Sequence, residues 1–245
     1  MKAIKFFLMA CLVVCGVTAL AADDMPIKKM SVEAVMTSAP DVAYRHHNAF
    51  APKNPSISKW LMIKVKYTMD QCRDFTPDVR VRKKSGTEVL FPGWLDDVEL
   101  VVQVVFDTGV TVKNIPVRVL FTGKSVFHSI KRNGKEHLAV MFVPAKVLDR
   151  YCSHWGGTAK STKNSFQVKA EMFVGGRSLA MAFSGNVSGK GESSKDKEFE
   201  NLLKLIPKQL KLENSVLPRS RSPWALLSPD DYDWEVDKSV GSVQE

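Results

Sequence analysis

The sequence predicts an all-β protein, an antiparallel two-sheet β-sandwich followed by a C-terminal helix and an extended tail. Three observations carry this. Between Ile27 and Gly185 the apolar residues come in short runs of β-branched and aromatic side chains, separated by Gly, Pro, Asn and Asp. Several runs alternate with period two: over residues 61–67, Leu61, Ile63, Val65 and Tyr67 share one face and Lys64 and Lys66 the other. The runs also lie too close together for helices to alternate regularly between them, which disfavours a parallel α/β sheet.

In chain order, the 245 residues open on a signal peptide, 1–21. Lys2 and Lys5 form its basic region, Phe6 to Val17 its apolar region, and Ala19-Leu20-Ala21 a small-residue cleavage site before Ala22. The apolar run is shorter than the roughly twenty residues that span a bilayer, so no transmembrane segment is expected after cleavage. Cys15 follows Val14 and not a small residue, against lipidation, and Gly16-Val17-Thr18 departs from a type IV prepilin leader. The expected location is secreted, periplasmic or on the outer cell surface.

The sandwich is assigned to 22–190, with strands at 28–36, 60–69, 79–83, 97–106, 116–121, 125–131, 137–143, 165–174 and 177–184. Asn133-Gly134 and Gly175-Gly176 each stand between two such runs and suit the positive φ angles of a two-residue hairpin. Residues 144–151 break the alternation as a helical turn with Val147, Leu148 and Tyr151 on one side. After a Gly/Ser/Lys linker, an amphipathic helix is assigned to 191–212, capped by Ser193 and ended or kinked by Pro207. Its stripe of Phe199, Leu202, Leu203 and Ile206 is expected to pack on the sandwich in preference to a neighbouring subunit. The tail, 213–245, places Trp224 and Trp234 in Pro-interrupted chain; self-packing is favoured for Trp224 and left open for Trp234.

Cys11 and Cys15 leave with the leader, so Cys72 and Cys152 remain as an even pair in an oxidising compartment and are expected to form a disulfide. Loss of Lys2 and Lys5 lowers the formal charge from +9 to +7, a basic balance that serves solubility or anionic partners. Arg80, Arg82, Lys83 and Lys84, alternating with Val79 and Val81, suit a charged edge strand; no nucleic acid is expected, because stacking aromatics are not interleaved with them. Gly123-Lys124-Ser125 lacks the glycine a phosphate loop needs, His46-His47 lacks a third ligand, and Asp230, Asp231, Asp233 and Glu235 lack the Gly turn of a familiar Ca²⁺ loop. No catalytic residue, metal ligand or cofactor is assigned; Asp96, Asp97, Glu99, Glu136 and Glu171 cannot be paired into a glycosidase site from sequence.

The leader, the alternating strands with Asn133-Gly134, the helix segment Phe199-Glu200-Asn201-Leu202-Leu203 and the tail Arg221-Ser222-Pro223-Trp224-Ala225-Leu226-Leu227 together resemble secreted, pilus-like or pilus-associated proteins of gut bacteria. The resemblance implies an immunoglobulin-like sandwich, oligomerisation or assembly with pilus and surface proteins, contact with a host, and no enzyme activity. The expected function is a non-enzymatic surface interaction or assembly module. Phe199, Leu202, Leu203, Ile206, Trp224 and Trp234 are its candidate contact residues, and the expected partners are its own copies, as a homo-oligomer, or pilus and surface assembly proteins. A module binding mucin or other anionic glycans is the alternative, and an extracellular hydrolase the third reading.

Overall fold

A computed structural model describes residues 26–40, 59–71, 93–151, 166–185, 187, 191–225 and 227. The leader, the predicted strand 79–83, Cys72, Cys152, His46-His47, the acidic group 230–235 and Trp234 lie outside the described residues.

Among the described residues, nine strands and two α-helices follow in order: β1 (Ile27–Ser38), β2 (Lys59–Met69), β3 (Trp94–Val112), β4 (Ile115–Lys131), β5 (Glu136–Val143), α1 (Ala145–Tyr151), β6 (Phe166–Val174), β7 (Arg177–Ser184), α2 (Glu192–Leu205), β8 (Lys211–Leu212) and β9 (Leu217–Pro218). One sheet has the order β1-β2-β5-β9 and the other β7-β6-β3-β4-β8. All pairings are antiparallel except the short β4–β8 contact. This is an immunoglobulin-like β-sandwich. The alternation read in β2 is realised: Leu61, Ile63, Val65 and Tyr67 are buried and share one core with Leu100, Val102 and Val104 of β3. Each such side chain withdrawn from water stabilises the fold by about 1.5–3 kcal/mol.

Gly175-Gly176 forms the expected hairpin, with φ of 56° and 78° and Val174 paired to Arg177. Asn133-Gly134 does not. It joins strands of different sheets, since β4 belongs to the five-stranded sheet while β5 pairs with β2, and only Gly134 has positive φ. The segment is a corner: Asn133 bridges to Gln71, and its side-chain oxygen accepts the Lys135 N–H at 2.9 Å. Next to it the Arg132 guanidinium donates two hydrogen bonds to the Asp70 carboxylate, tying the ends of β4 and β2 together across the two sheets.

The β3–β4 hairpin turns at Lys113-Asn114, where φ is 52° and 63° and Val112 pairs with Ile115. That mirror-image turn matches the twist of its strands. The predicted strands 116–121 and 125–131 are one strand, running unbroken through Thr122-Gly123-Lys124. The helical turn at α1 is as expected, with Leu148 buried and the Tyr151 ring edge-on to Phe121 at 6.2 Å.

Helix α2 begins one residue before Ser193, with Gly191 at the N-cap and no side-chain capping bond, so Ser193 is not the cap. It ends before Pro207, whose ring biases the preceding residue toward extended backbone; Ile206 has ψ of 121°.

Candidate interaction surface

The helix stripe packs on the sandwich, the arrangement favoured over a neighbouring subunit from its pattern. Phe199 is fully buried on the outer face of the five-stranded sheet, in a second apolar cluster with Val105, Leu120, Val187 and Ile206. Leu202 and Leu203 pack half-buried against that cluster, and the Phe183 and Phe199 rings meet at 6.1 Å. All four side chains thus make contacts within the chain, and α2 is a third layer over one sheet.

A buried cation fastens the same layer. Lys169 stands on the outer face of β6, between Gln167 and Glu171 on that face, and is only 7% exposed. Its ammonium lies 2.6 Å from Asp196 and 3.7 Å from Glu200, which stand four residues apart on one face of α2, and 3.1 Å from Glu171. Burial alone would lower its pKa, but the hydrogen bonds and charges of Asp196 and Glu171 outweigh burial and hold it above the ordinary lysine value of 10.5. A raised folded-state value stabilises the fold below the unfolded pKa, and that stabilisation is lost as pH rises through the folded value. Lys169→Met is expected to cost about 2–3 kcal/mol at neutral pH, discounted from a fully buried pair because Glu200 faces water. In urea unfolding, the gap between wild type and variant should narrow above about pH 10.5.

The tail also folds back on its own domain. After α2 the chain pairs β8 alongside Leu120 and Phe121 of β4, turns at Asn214 with φ of 55°, and crosses β4 at Val216. The crossing needs Gly123: a Cβ there would stand 1.9 Å from the Val216 carbonyl oxygen. Ser215 and Val216 both donate their N–H to the Thr122 carbonyl, at 2.9 and 3.1 Å. β9 then reaches the other sheet, pairing Leu217 with Phe142 and Pro218 with Met141. One short segment thus stitches the edges of both sheets together.

Trp224 closes this strap. Its ring stacks on Phe142 at 4.3 Å and meets Trp60 edge-on at 5.6 Å, which leaves Phe142 buried although it lies on the outer side of its sheet. The buried Arg219 guanidinium holds the turn by donating to the carbonyls of Ala225 and Leu227, at 3.2 and 3.3 Å. Trp224 packs in cis, as favoured from its setting.

What projects is the β3–β4 hairpin. Its described ladder to β6 stops at Phe106, and beyond it Val110, Val112 and Ile115 are 44, 57 and 66% exposed. The sequence reading missed this arm. The signal was present in Val110-Thr111-Val112 and Ile115 around Lys113-Asn114, a turn less familiar than the Asn133-Gly134 dipeptide that drew attention.

Four of the five acidic residues weighed as glycosidase candidates are separately engaged: Glu99 pairs with Lys124, Glu136 with Lys66, Glu171 with Lys169, and Asp96 accepts from Ser129. Among the described residues no cluster of His, Cys, Asp and Glu is arranged to hold a metal, and no helix is long and apolar enough to cross a membrane.

The class defined by this architecture is an all-β, immunoglobulin-like sandwich. It is similar to a crystal structure of a protein from Akkermansia muciniphila, with a TM-score of 0.53 and 13% identity, covering 85% of this chain and 94% of that one. At that identity the likeness is one of fold. No family model and no curated protein matches the sequence.

Proposed function

We propose that the chain is a non-enzymatic interaction or assembly module, secreted or held at the cell surface and associated with pilus-like structures. The exposed apolar arm carries this reading, because a rigid hairpin that keeps β-branched side chains in water is suited to contact with another surface. The leader and the resemblance to secreted pilus-associated proteins supply the setting. Lysine cross-linking in the producing bacterium, with protease shaving of intact cells, is expected to find a chain beginning at Ala22 outside the cytoplasm, linked to surface proteins or to its own copies. A cytoplasmic chain that keeps its leader would contradict the proposal.

Glycan binding has one specific observation in its favour, the aromatic cluster of Trp60, Phe142 and Trp224 on the outer side of the β1-β2-β5-β9 sheet. Indole faces stack on sugar rings as they do on other flat apolar surfaces. On an array of mucin and capsular glycans this reading expects binding that Trp60→Ala reduces at least about tenfold, the effect of losing roughly 1.4 kcal/mol of contact. No binding by the wild type removes it.

A further inference from the structure

We infer that the outer face of the β1-β2-β5-β9 sheet is a docking surface for the chain's own acidic, aromatic tail, residues 230–237, which lies along it in cis beyond Trp224. The inference goes beyond the module reading and gives a seat to Trp234. The face is apolar along its centre. Leu61, Ile63 and Val65 of β2 and Ala139 and Met141 of β5 point into the main core, so by the two-residue period Trp60, Met62, Lys64 and Lys66, with Leu138, Val140 and Phe142, point outward. Across the ladder Met62 lies between Val35 and Phe142, and Lys64 between Glu33 and Val140. Val35 is 37% exposed, and Met62 and Leu138 are half-buried. Trp224 covers the Phe142 end of this strip.

The tail departs from the right place. Leu227 donates its N–H to the Trp224 carbonyl at 3.1 Å, and its own carbonyl accepts from Arg219 at 3.3 Å, so the chain is fixed beside the ring that stacks on Phe142. The seven residues from Leu227 to Trp234 reach up to about 23 Å. Along β5 the four residues from Phe142 to Leu138 cover only about 13 Å. So short a tether gives the tail an effective concentration on the order of millimolar at its own face, which favours that face over a second copy's.

Pattern and charge select the same occupant. Tyr232, Trp234 and Val236 alternate with Asp231, Asp233, Glu235 and Asp237, the period of an extended segment with one apolar and one acidic side. Six carboxylates and one lysine follow Leu227, a net of −5 on a mature chain of +7, so residues 22–227 carry +12. On the face itself Lys66 is paired with Glu136, whereas Lys64 stands opposite Glu33 and is in no ion pair among the described residues. With its apolar side on Met62, Val140 and Leu138, the tail sets its carboxylates at the height a lysine ammonium reaches from a sheet. Docked there, it lies beside Trp60 and closes the outer face to other ligands.

Carbodiimide cross-linking of the full mature chain, which joins a lysine to a carboxylate in direct contact, tests the inference. Peptide mapping is expected to link Lys64 to a carboxylate between Asp230 and Asp237, and to do so well ahead of any link from those carboxylates to Lys197 and Lys204, which are exposed on α2. In a mixture of isotopically light and heavy chains, both linked peptides should come from one chain. Trp234→Ala should lower the yield of the Lys64 link at least about fivefold, as loss of an aromatic anchor does, while the chain still melts cooperatively. A tail that never links to Lys64, that links to α2 as readily, that gives mixed light and heavy pairs, or that links unchanged in Trp234→Ala would overturn the inference. The module reading would stand in each of those cases, because it rests on the β3–β4 arm.

Discussion

Gly123→Val is expected to destabilise the fold by about 3 kcal/mol or more, a large effect for a residue in the middle of a long strand. The reason lies 93 residues further along the chain, at Val216, whose carbonyl oxygen occupies the space a side chain would need. Val216 cannot simply retreat. Its side chain is 1% exposed within the main core, and its N–H and that of Ser215 are bonded to Thr122. Moving it strips backbone hydrogen bonds and opens the core together, and it pulls β9 from Met141 and Phe142. Thermal unfolding measures the loss. Trypsin should also cut faster after Lys211 and Arg219, which lie on either side of the crossing. A variant that melts and resists protease like the wild type would show that the strap does not lie on Gly123.

Much of the sandwich was legible because its physics is local. A period-two pattern such as Leu61-Met62-Ile63-Lys64-Val65 determines which face is buried, and Gly175-Gly176 carries positive φ without steric cost, so strand, face and hairpin follow from neighbouring residues. Asn133-Gly134 was misread for the same reason. A positive-φ glycine reports that the chain turns there and not which strand it pairs with afterwards; the pairing was decided by the register of β5 on β2, from Leu61↔Val143 to Thr68↔Glu136. The run from Pro116 to Lys131 was divided at Gly123 because a glycine inside a strand usually weakens it, whereas here it admits a distant backbone.

The contact surface was harder to read. Apolar side chains at 199, 202, 203, 206 and 224 announce that something must cover them, yet sequence does not tell a chain's own sheet from a partner's. The cover proved to be Val105, Leu120 and Phe183 for the helix and Phe142 with Trp60 for Trp224. The role of Lys169 is not legible in sequence because a lone lysine in a strand reads as solvent-facing, and the nearer of its two helix partners, Asp196 and Glu200, is 27 residues away. The arm escaped because exposure of Val112 and Ile115 depends on how far β3 and β4 outrun their neighbours, a property of the assembled sheets.

Deleting residues 212–245 from the mature chain separates a tail that completes the fold from one that only reaches out to partners. The deletion removes Val216 from the core, the β9 pairing, the Arg219 turn and the ring that covers Phe142. Losses of about 1.5–3 kcal/mol for each large apolar group exposed sum to several kcal/mol. For a domain of this size that lowers the melting temperature by roughly 10–20 °C. The measurement is thermal unfolding of the full mature chain and the truncated one, at matched dilute concentration so that association does not contribute. A melting temperature lowered by that amount, or a lost cooperative transition, is the predicted result; an unchanged transition would contradict the assignment of the tail to the fold and return Trp224 to the list of docking residues.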